Sequence, residues 1–383
     1  MNIDFDIFII GGGINGAGIA RDAAGRGLKV GLVEKNKVGS ATSSWSTKLI
    51  HGGLRYLENY DFKLVRESLK ERNIIRKIAS SITKPIPFVI PHTSELRPIW
   101  LIKLGLILYD NLGGKSIMPK SSKINIVEEY PDILKKKYSV GFKYFDLQVE
   151  DKKLVELNIN DAKNRGAKIF ENIKIINTTR FKNYWEISLS NNTIFKSKII
   201  INATGPWIKN VLSDVLKVKS PNSLRLVKGS HIITNKLYEE NVAFTLQNVD
   251  RRIVFITPYS NQRTLIGTTE VDVKSPKNPK ITDAEIDYLI NCVNNYLKKP
   301  ISKNDIKDTY SGIRPLIENY KETATSVTRD YIFDLNTDRE LAPVLTIFGG
   351  KLTTYRKLSE KVITKLSFFL PKICNSWTHK EKL

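Results

Sequence analysis

A short apolar run, Asp6–Ile10 (DIFII), leads directly into Gly11-Gly12-Gly13-Ile14-Asn15-Gly16. Nothing else in the chain restricts its fold as tightly. The run is rich in β-branched residues and reads as a buried parallel strand. The loop fits G-x-G-x-x-G, and a helical pattern opens behind it at Ile14, Ala17, Ile19, Ala20, Ala23 and Ala24. A second strand, Lys29–Val33, ends at Glu34. Each glycine has a separate task. Gly11 permits the tight turn, Gly13 lets backbone approach a pyrophosphate, and Gly16 lets helix and strand pack closely. The helix N-terminus offers free N–H groups and the positive end of its dipole to phosphates. A glycine turn without a ligand would explain the loop alone. It does not explain strand, loop, helix, strand and terminal acid in this order. Glu34 is placed to accept hydrogen bonds from ribose hydroxyls, and its charge disfavours the 2′-phosphate of NADP.

The loop runs on into Ser46-Thr47-Lys48-Leu49-Ile50-His51-Gly52-Gly53-Leu54-Arg55-Tyr56. That segment brings hydroxyls, an amine, an imidazole and a guanidinium to the nucleotide site, which points to redox chemistry on a small anionic molecule. Two more strand-to-glycine junctions follow, at Lys198–Trp207 (KIIINATGPW) and Val344–Lys351 (VLTIFGGK). The helical run Thr353–Lys365 comes after the second, so another helix N-terminus is available to the ligand. Three junctions suit a long cofactor held along its whole length, which favours FAD over NAD.

At 383 residues the chain is long enough for two domains. Its two cysteines, Cys292 and Cys374, provide neither a metal spacing nor a disulfide framework, so no metal is expected and the interior reads as reduced. With no leader pattern before the first strand and no apolar stretch of the ~20 residues a span requires, the expected location is the cytoplasmic side. The net charge of +22 has two readings. One is attraction to anionic partners such as lipid or phosphorylated substrates; the other is a lysine-rich composition spread over every element. No nucleic-acid-binding motif accompanies the charge, which argues against nucleic acid. The segment Pro98–Tyr109 (PIWLIKLGLILY) also has two readings: an interfacial helix with aromatics at headgroup level, or an ordinary buried helix.

Residues 80–145 carry six prolines, including Pro85, Pro87 and Pro91, and read as loops, short strands and the apolar helix. Residues 208–340 contain the strands Leu226–Thr234, Ala243–Gln247, Ile253–Tyr259 and Thr264–Thr268. A helix follows at Asp283–Tyr296 with Thr282 as N-cap. The predicted fold is α/β, a Rossmann-like FAD-binding domain interleaved with a β-rich (α+β) substrate domain. The first comprises 1–79, 146–207 and 341–383, and the second 80–145 and 208–340.

Oxidising an alcohol carbon on a flavin requires a proton acceptor for the hydroxyl and fixed cations for an anionic handle. Arginine suits phosphate because its planar fork donates two hydrogen bonds at once. Arg55, Arg314 (in YSGIRP) and Arg329 (in TRDY) are the candidate cations, and His51 and His231 the candidate imidazoles. His92 and His379 lie outside any motif.

The motifs IIGGGINGAGIARDAAGRGL, TSSWSTKLIHGGLRYLE, LRPIWLIKLGLILYDNLGG, NATGPW, RLVKGSHI, LIGTTEVD, YSGIRPL, TRDY and FGGKLTTYRKL occur in this order. Together they make the chain resemble the FAD-dependent, quinone-linked glycerol-3-phosphate dehydrogenases of the D-amino-acid-oxidase-like flavoprotein superfamily. The resemblance covers residue 5 to about 378. It implies oxidation of sn-glycerol 3-phosphate to dihydroxyacetone phosphate, with hydride passing from C2 to FAD N5 and electrons then to a quinone. It implies a peripheral, monotopic protein on an anionic membrane surface, which favours the interfacial reading of Pro98–Tyr109.

The cofactor set implied is Gly11, Gly13, Ile14, Asn15, Gly16, Glu34, Lys35, Thr42, Ser43, Ser46, Thr47, Lys48, Leu49, His51, Gly52, Gly205, Gly349, Gly350, Lys351, Leu352 and Thr353. Arg55, Tyr56, Arg314 and Arg329 would bind substrate. His231, Arg314 and Lys351 would serve the chemistry, with His231 as proton acceptor near the reacting carbon and His51 on the cofactor side. Asn59 stands where the family commonly has histidine. Members usually continue into a helical C-terminal domain that contributes to dimerisation, so a homodimer is an open expectation. Two other functions stay open: an oxidase that yields hydrogen peroxide, and a catalytically impaired FAD-binding remnant.

Overall fold

The computed structural model describes residues 2–260, 262–318, 330–337 and 340–383. They form two sheets. An eight-stranded sheet runs in the order Tyr331–Asn336, Val344–Gly349, Ile194–Asn202, Phe5–Ile10, Val30–Glu34, Lys168–Glu171, with Trp185–Leu189 and Ile175–Arg180 attached beside Ile194–Asn202. From Val344–Gly349 to Lys168–Glu171 every neighbour is parallel. Parallel strands covered on both faces read as continuous apolar runs, and Phe5–Ile10 is buried at every position. The helix Ile14–Gly25 presents Ala17, Ala20 and Ala23 to Val155 and Ile159 of Asp151–Asn164 and to Leu358 and Val362 of Tyr355–Leu366. Small side chains on the shared face let the three helices approach closely.

The ten-stranded sheet is mostly antiparallel. Its order is Val271–Asp272, Leu224–Asn235, Arg263–Gly267, Ile253–Ser260, Ala243–Gln247, Thr83–His92, Val140–Val149, Leu49–Ile50. The strand Ile306–Ile317 pairs along nearly the whole of Leu224–Asn235. The helix Asp283–Tyr296 covers one face of this sheet, packing Leu289 and Val293 against Phe244, Leu246, Val254 and Ile256. Thr282 closes a full capping box with Glu285.

Three differences from the sequence reading have physical reasons. Thr83–His92 is a single ten-residue strand, although it contains three prolines. Pro85, Pro87 and Pro91 share one backbone parity, so their missing N–H groups fall along the same edge. On one side the strand pairs throughout with Val140–Val149; on the other it meets Ala243–Gln247 only at Phe88 and Val89. Leu49–Ile50, which follows the nucleotide loop in sequence, pairs with Gln148 and Leu147 in the second sheet. Tyr331–Asn336, grouped above with the substrate half, pairs with Val344–Gly349 in the first.

The apolar segment is the helix Ile99–Leu112. Ile102, Leu106 and Tyr109 are buried, while Trp100, Leu104 and Ile107 are 65%, 47% and 59% exposed. One face is therefore core and the other is apolar and open to solvent. Among the described residues no helix is long and apolar enough to cross a membrane.

Candidate active site

A cavity of about 490 Å³ lies where the C-terminal ends of the parallel strands meet the second sheet. Binding crevices form at that end of a parallel sheet because the strand ends and helix N-termini converge there. Its wall contains Gly11, Gly13, Ile14, Asn15, Glu34, Lys35, Thr42, Ser43, Ser46, Thr47, Leu49, His51, Tyr56, Gly205, Arg314 and the run Gly349 to Thr353. The three glycine junctions thus share one cavity.

The loop geometry follows from its sequence. Gly11 has φ +106°, and a Cβ there would stand 2.8 Å from the Ala203 carbonyl oxygen. A Cβ on Gly16 would stand 1.9 Å from the Gly11 oxygen, so only glycine allows the helix to start against the turn. Glu34 accepts from Gly12 N at 2.8 Å and from Asn36 N at 2.9 Å, which ties the second strand to the loop. Ser43 Oγ accepts from Ile14 N at 2.9 Å. The helix is otherwise uncapped, with Gly13 at the N-cap position. Lys35 sits 4.0 Å over the Trp207 ring, and burial lowers its pKa from the ordinary lysine value.

These residues fit a dinucleotide. Asn15 Oδ1 is buried on the cavity wall without a hydrogen-bond partner among the described residues, as expected of an atom that faces a ligand. Gly205 has φ +54° and open space where a Cβ would stand.

At the other end of the cavity the groups come from segments far apart in sequence. Arg314 on Ile306–Ile317 donates from Nη2 to Thr268 Oγ1 at 3.1 Å. Arg314 Nη1 and Arg55 Nη2 each lie 3.9 Å from Glu270 Oε1, and Glu270 is 7% exposed. Lys351 donates to Ser68 Oγ at 2.8 Å, with its ammonium 4.6 Å over the Tyr56 ring. Thr353 Oγ1 accepts from His51 N and donates to His51 O, at 3.2 and 3.3 Å.

Five residues of the sequence-derived site do not line the cavity. Gly16 lies beneath the loop for the steric reason above. Lys48 turns its ammonium to Asp151 Oδ1 at 2.7 Å. Gly52 is pressed between Leu69 and Tyr109 and donates its N–H to Tyr109 Oη at 2.7 Å. Arg55 stands beside Glu270. His231, the expected proton acceptor, also lies off the cavity wall. It is 1% exposed and lies behind Thr47, with Nε2 and Thr47 Oγ1 3.1 Å apart. Its ring stacks on Tyr310 at 4.6 Å, and Nδ1 has no partner among the described residues. Burial first, then the Arg314 and Lys48 cations, hold its pKa well below the ordinary histidine value, so the ring is neutral near pH 7. Arg329 lies outside the described residues.

Sequence reasoning missed Glu270, Thr268 and Trp207, although each falls inside a motif quoted above. It missed Asp151 altogether, since no motif marks that position.

A dinucleotide cavity at the strand ends, closed by a second sheet that carries arginines, defines a flavin-type oxidoreductase. Comparison with known proteins makes the class specific. The model of the family described as FAD dependent oxidoreductase matches residues 6–355, and the chain belongs to that family, whose cofactor is FAD. It is 45% identical to a glycerol-3-phosphate dehydrogenase of Pseudomonas tolaasii, over 99% of this chain and 74% of that protein. It is 43% identical to the D-erythritol 1-phosphate dehydrogenase of Brucella abortus, over 99% of this chain and 76% of that one. The structure of the glycerol-3-phosphate dehydrogenase from Bacillus halodurans complexed with FAD superposes with a TM-score of 0.73 at 26% identity, covering 97% of this chain and 66% of that chain.

Proposed function

We propose that this enzyme oxidises sn-glycerol 3-phosphate to dihydroxyacetone phosphate and passes the electrons to a quinone. The observation that carries the reading is the convergence of Arg314 and Arg55 at Glu270, beside a cavity suited to FAD. Each planar guanidinium can donate two parallel hydrogen bonds to a phosphate. The names of the relatives support the substrate class. Bound FAD supplies the acceptor for the hydride released from C2. The chain's own groups hold the phosphate through Arg314 and Arg55, flank the reacting end with Thr47 and Lys351, and keep neutral His231 behind Thr47 to accept the hydroxyl proton by way of the Thr47 hydroxyl. Arg329 belongs to the same proposed substrate set. The sheet-by-sheet organisation supports two interleaved domains, one for the cofactor and one for the substrate.

The exposed face of Ile99–Leu112 supports a peripheral seat on the cytoplasmic face of an anionic membrane, where a quinone is within reach. Co-sedimentation with anionic vesicles tests that seat. The reaction is tested by adding glycerol 3-phosphate to the yellow protein without oxygen; bleaching is expected, and a flavin that stays oxidised ends the reading. Peroxide yield in air, against rate with a quinone analogue, separates dehydrogenase from oxidase. The near-equal identity to the erythritol-phosphate enzyme favours a second reading, the same chemistry on a longer polyol phosphate. The ratio of kcat/KM for the two substrates decides it.

A further inference from the structure

The turn Ser46 to Lys48 supplies Ser46 and Thr47 to the cavity wall and is held from behind. Asp151, the first residue of Asp151–Asn164, is 2% exposed and touches the turn at both ends. Its Oδ2 accepts from Ser46 Oγ at 2.7 Å and Ser46 N at 3.3 Å, and its Oδ1 accepts from Lys48 Nζ at 2.7 Å. Ser46 Oγ in turn accepts from Lys48 N at 2.9 Å. Lys48 has φ +59°, a left-handed conformation that a lysine adopts only when its surroundings impose it. On the opposite side Tyr310 donates to Ser46 O at 2.7 Å and stacks on His231, whose Nε2 meets Thr47 Oγ1. Thr47 is thus fixed by its two clamped neighbours and by its own hydroxyl.

We propose that Asp151 is a positioning residue for the reaction: through Ser46 and Lys48 it locks the strained turn that sets the Thr47 hydroxyl between His231 and the cavity. The inference rests on the functional reading above. Asp151 does not line the cavity, so its effect passes through Thr47. Its charge also compensates Lys48, so the clamp is both an ion pair and a pair of hydrogen bonds to the Ser46 end.

The test uses the FAD-loaded enzyme. Asp151→Asn keeps the shape and removes the charge. Anaerobic flavin reduction by glycerol 3-phosphate should slow by roughly 100-fold, the scale expected when a reacting group is displaced by about 1 Å. The half-saturating substrate concentration should move less than about threefold, because the arginines are untouched. The visible circular dichroism of the oxidised flavin should change, since the wall beside it has shifted. Thr47→Val should slow reduction to a similar extent, and the double variant should be no slower than the worse single one. If Asp151→Asn fails to fold, Lys48→Met breaks the other half of the clamp and should give the same signature. A wild-type rate and dichroism in either clamp variant overturns the proposal. So does an additive double variant, or a rate loss accounted for by lost FAD alone. If the wild-type flavin is not reduced by this substrate, the functional reading fails, while the dichroism still reports on the clamp.

Discussion

The two ends of the cavity are built from different materials. The dinucleotide end is made of backbone: glycines, helix N–H groups and strand termini within the first 34 residues, joined by two later strand ends. The proposed substrate end is made of side chains from three separate segments, Arg314 on the strand Ile306–Ile317, Arg55 on the turn Leu54–Asn59 and Glu270 in the loop between Arg263–Gly267 and Val271–Asp272. A backbone site depends on the absence of atoms, so one added methyl group ruins it. A side-chain site depends on charges held in place, so its losses are graded.

The largest expected effect follows from that contrast. In Gly16→Ala the new Cβ would stand 1.9 Å from the Gly11 oxygen, a contact with backbone that no rotamer relieves. The protein should be recovered colourless, or with FAD affinity lowered by orders of magnitude, as measured by quenching of flavin fluorescence. A yellow Gly16→Ala protein with ordinary affinity would show that the helix can slide away from the turn, and the backbone account would fail.

The same contrast explains what the sequence reveals. Gly11 to Gly16, Glu34 and the Gly349-Gly350 junction are legible because each motif is local and its geometry follows from missing side chains. Strands such as Ala243–Gln247 and the helix Asp283–Tyr296 are legible from periodicity and capping. His231 is legible as an imidazole but not as a buried one, because its burial depends on Tyr310 and Gly267 arriving from other strands. Asp151 meets Lys48 across 103 positions, a pairing that no local pattern encodes. The proline-rich strand was obscured for the same reason, since its tolerance for proline depends on which edge lacks a full partner.

At the proposed substrate end, Arg314→Ala should weaken productive substrate binding by about 2 kcal/mol, the low end of the cost of truncating one member of a charge cluster, because Arg314 is only partly buried. FAD affinity should remain near normal, because the dinucleotide end does not depend on that side chain. Steady-state KM and a flavin titration read the two separately. Equal losses in both would dissolve the distinction between the two ends.

The cofactor half also contains a buried titrating side chain near the C-terminal end of the helix that follows its glycine loop. Asp22, on Ile14–Gly25, lies 2.8 Å from Arg26, yet burial pushes its pKa from 3.8 up to about 6. Between those values the folded state keeps a proton that the unfolded chain has released. This contribution to stability is therefore present at acid pH and is lost as the pH rises through about 6. Two pKa units correspond to roughly 3 kcal/mol. Relative to Asp22→Asn, the wild type should lose about that much stability between pH 4 and pH 7, read from urea midpoints. A difference that stays flat with pH would remove Asp22 from the account.

The smallest expected effect refines the comparison at the substrate end. Thr282 caps Asp283–Tyr296, accepting from Glu285 N and donating to Glu285 Oε2. Glu285 is 5% exposed; its Oε1 accepts from Ser230 and Thr269, and Lys228 lies 2.8 Å from its Oε2. Burial alone would raise its pKa, but Lys228 and these hydrogen bonds more than offset that and hold the carboxyl below its ordinary value. The capping box therefore reaches the strand that carries His231 only through a carboxylate with several other anchors. Thr282→Ala should cost about 1 kcal/mol of stability, the usual price of a lost N-cap. Because those anchors remain, flavin reduction should stay within about twofold of wild type, the scale expected when a mutation leaves the reacting groups in place. A loss of reduction rate well beyond the loss of stability would mean that the helix start, and not only the strand, sets the position of His231.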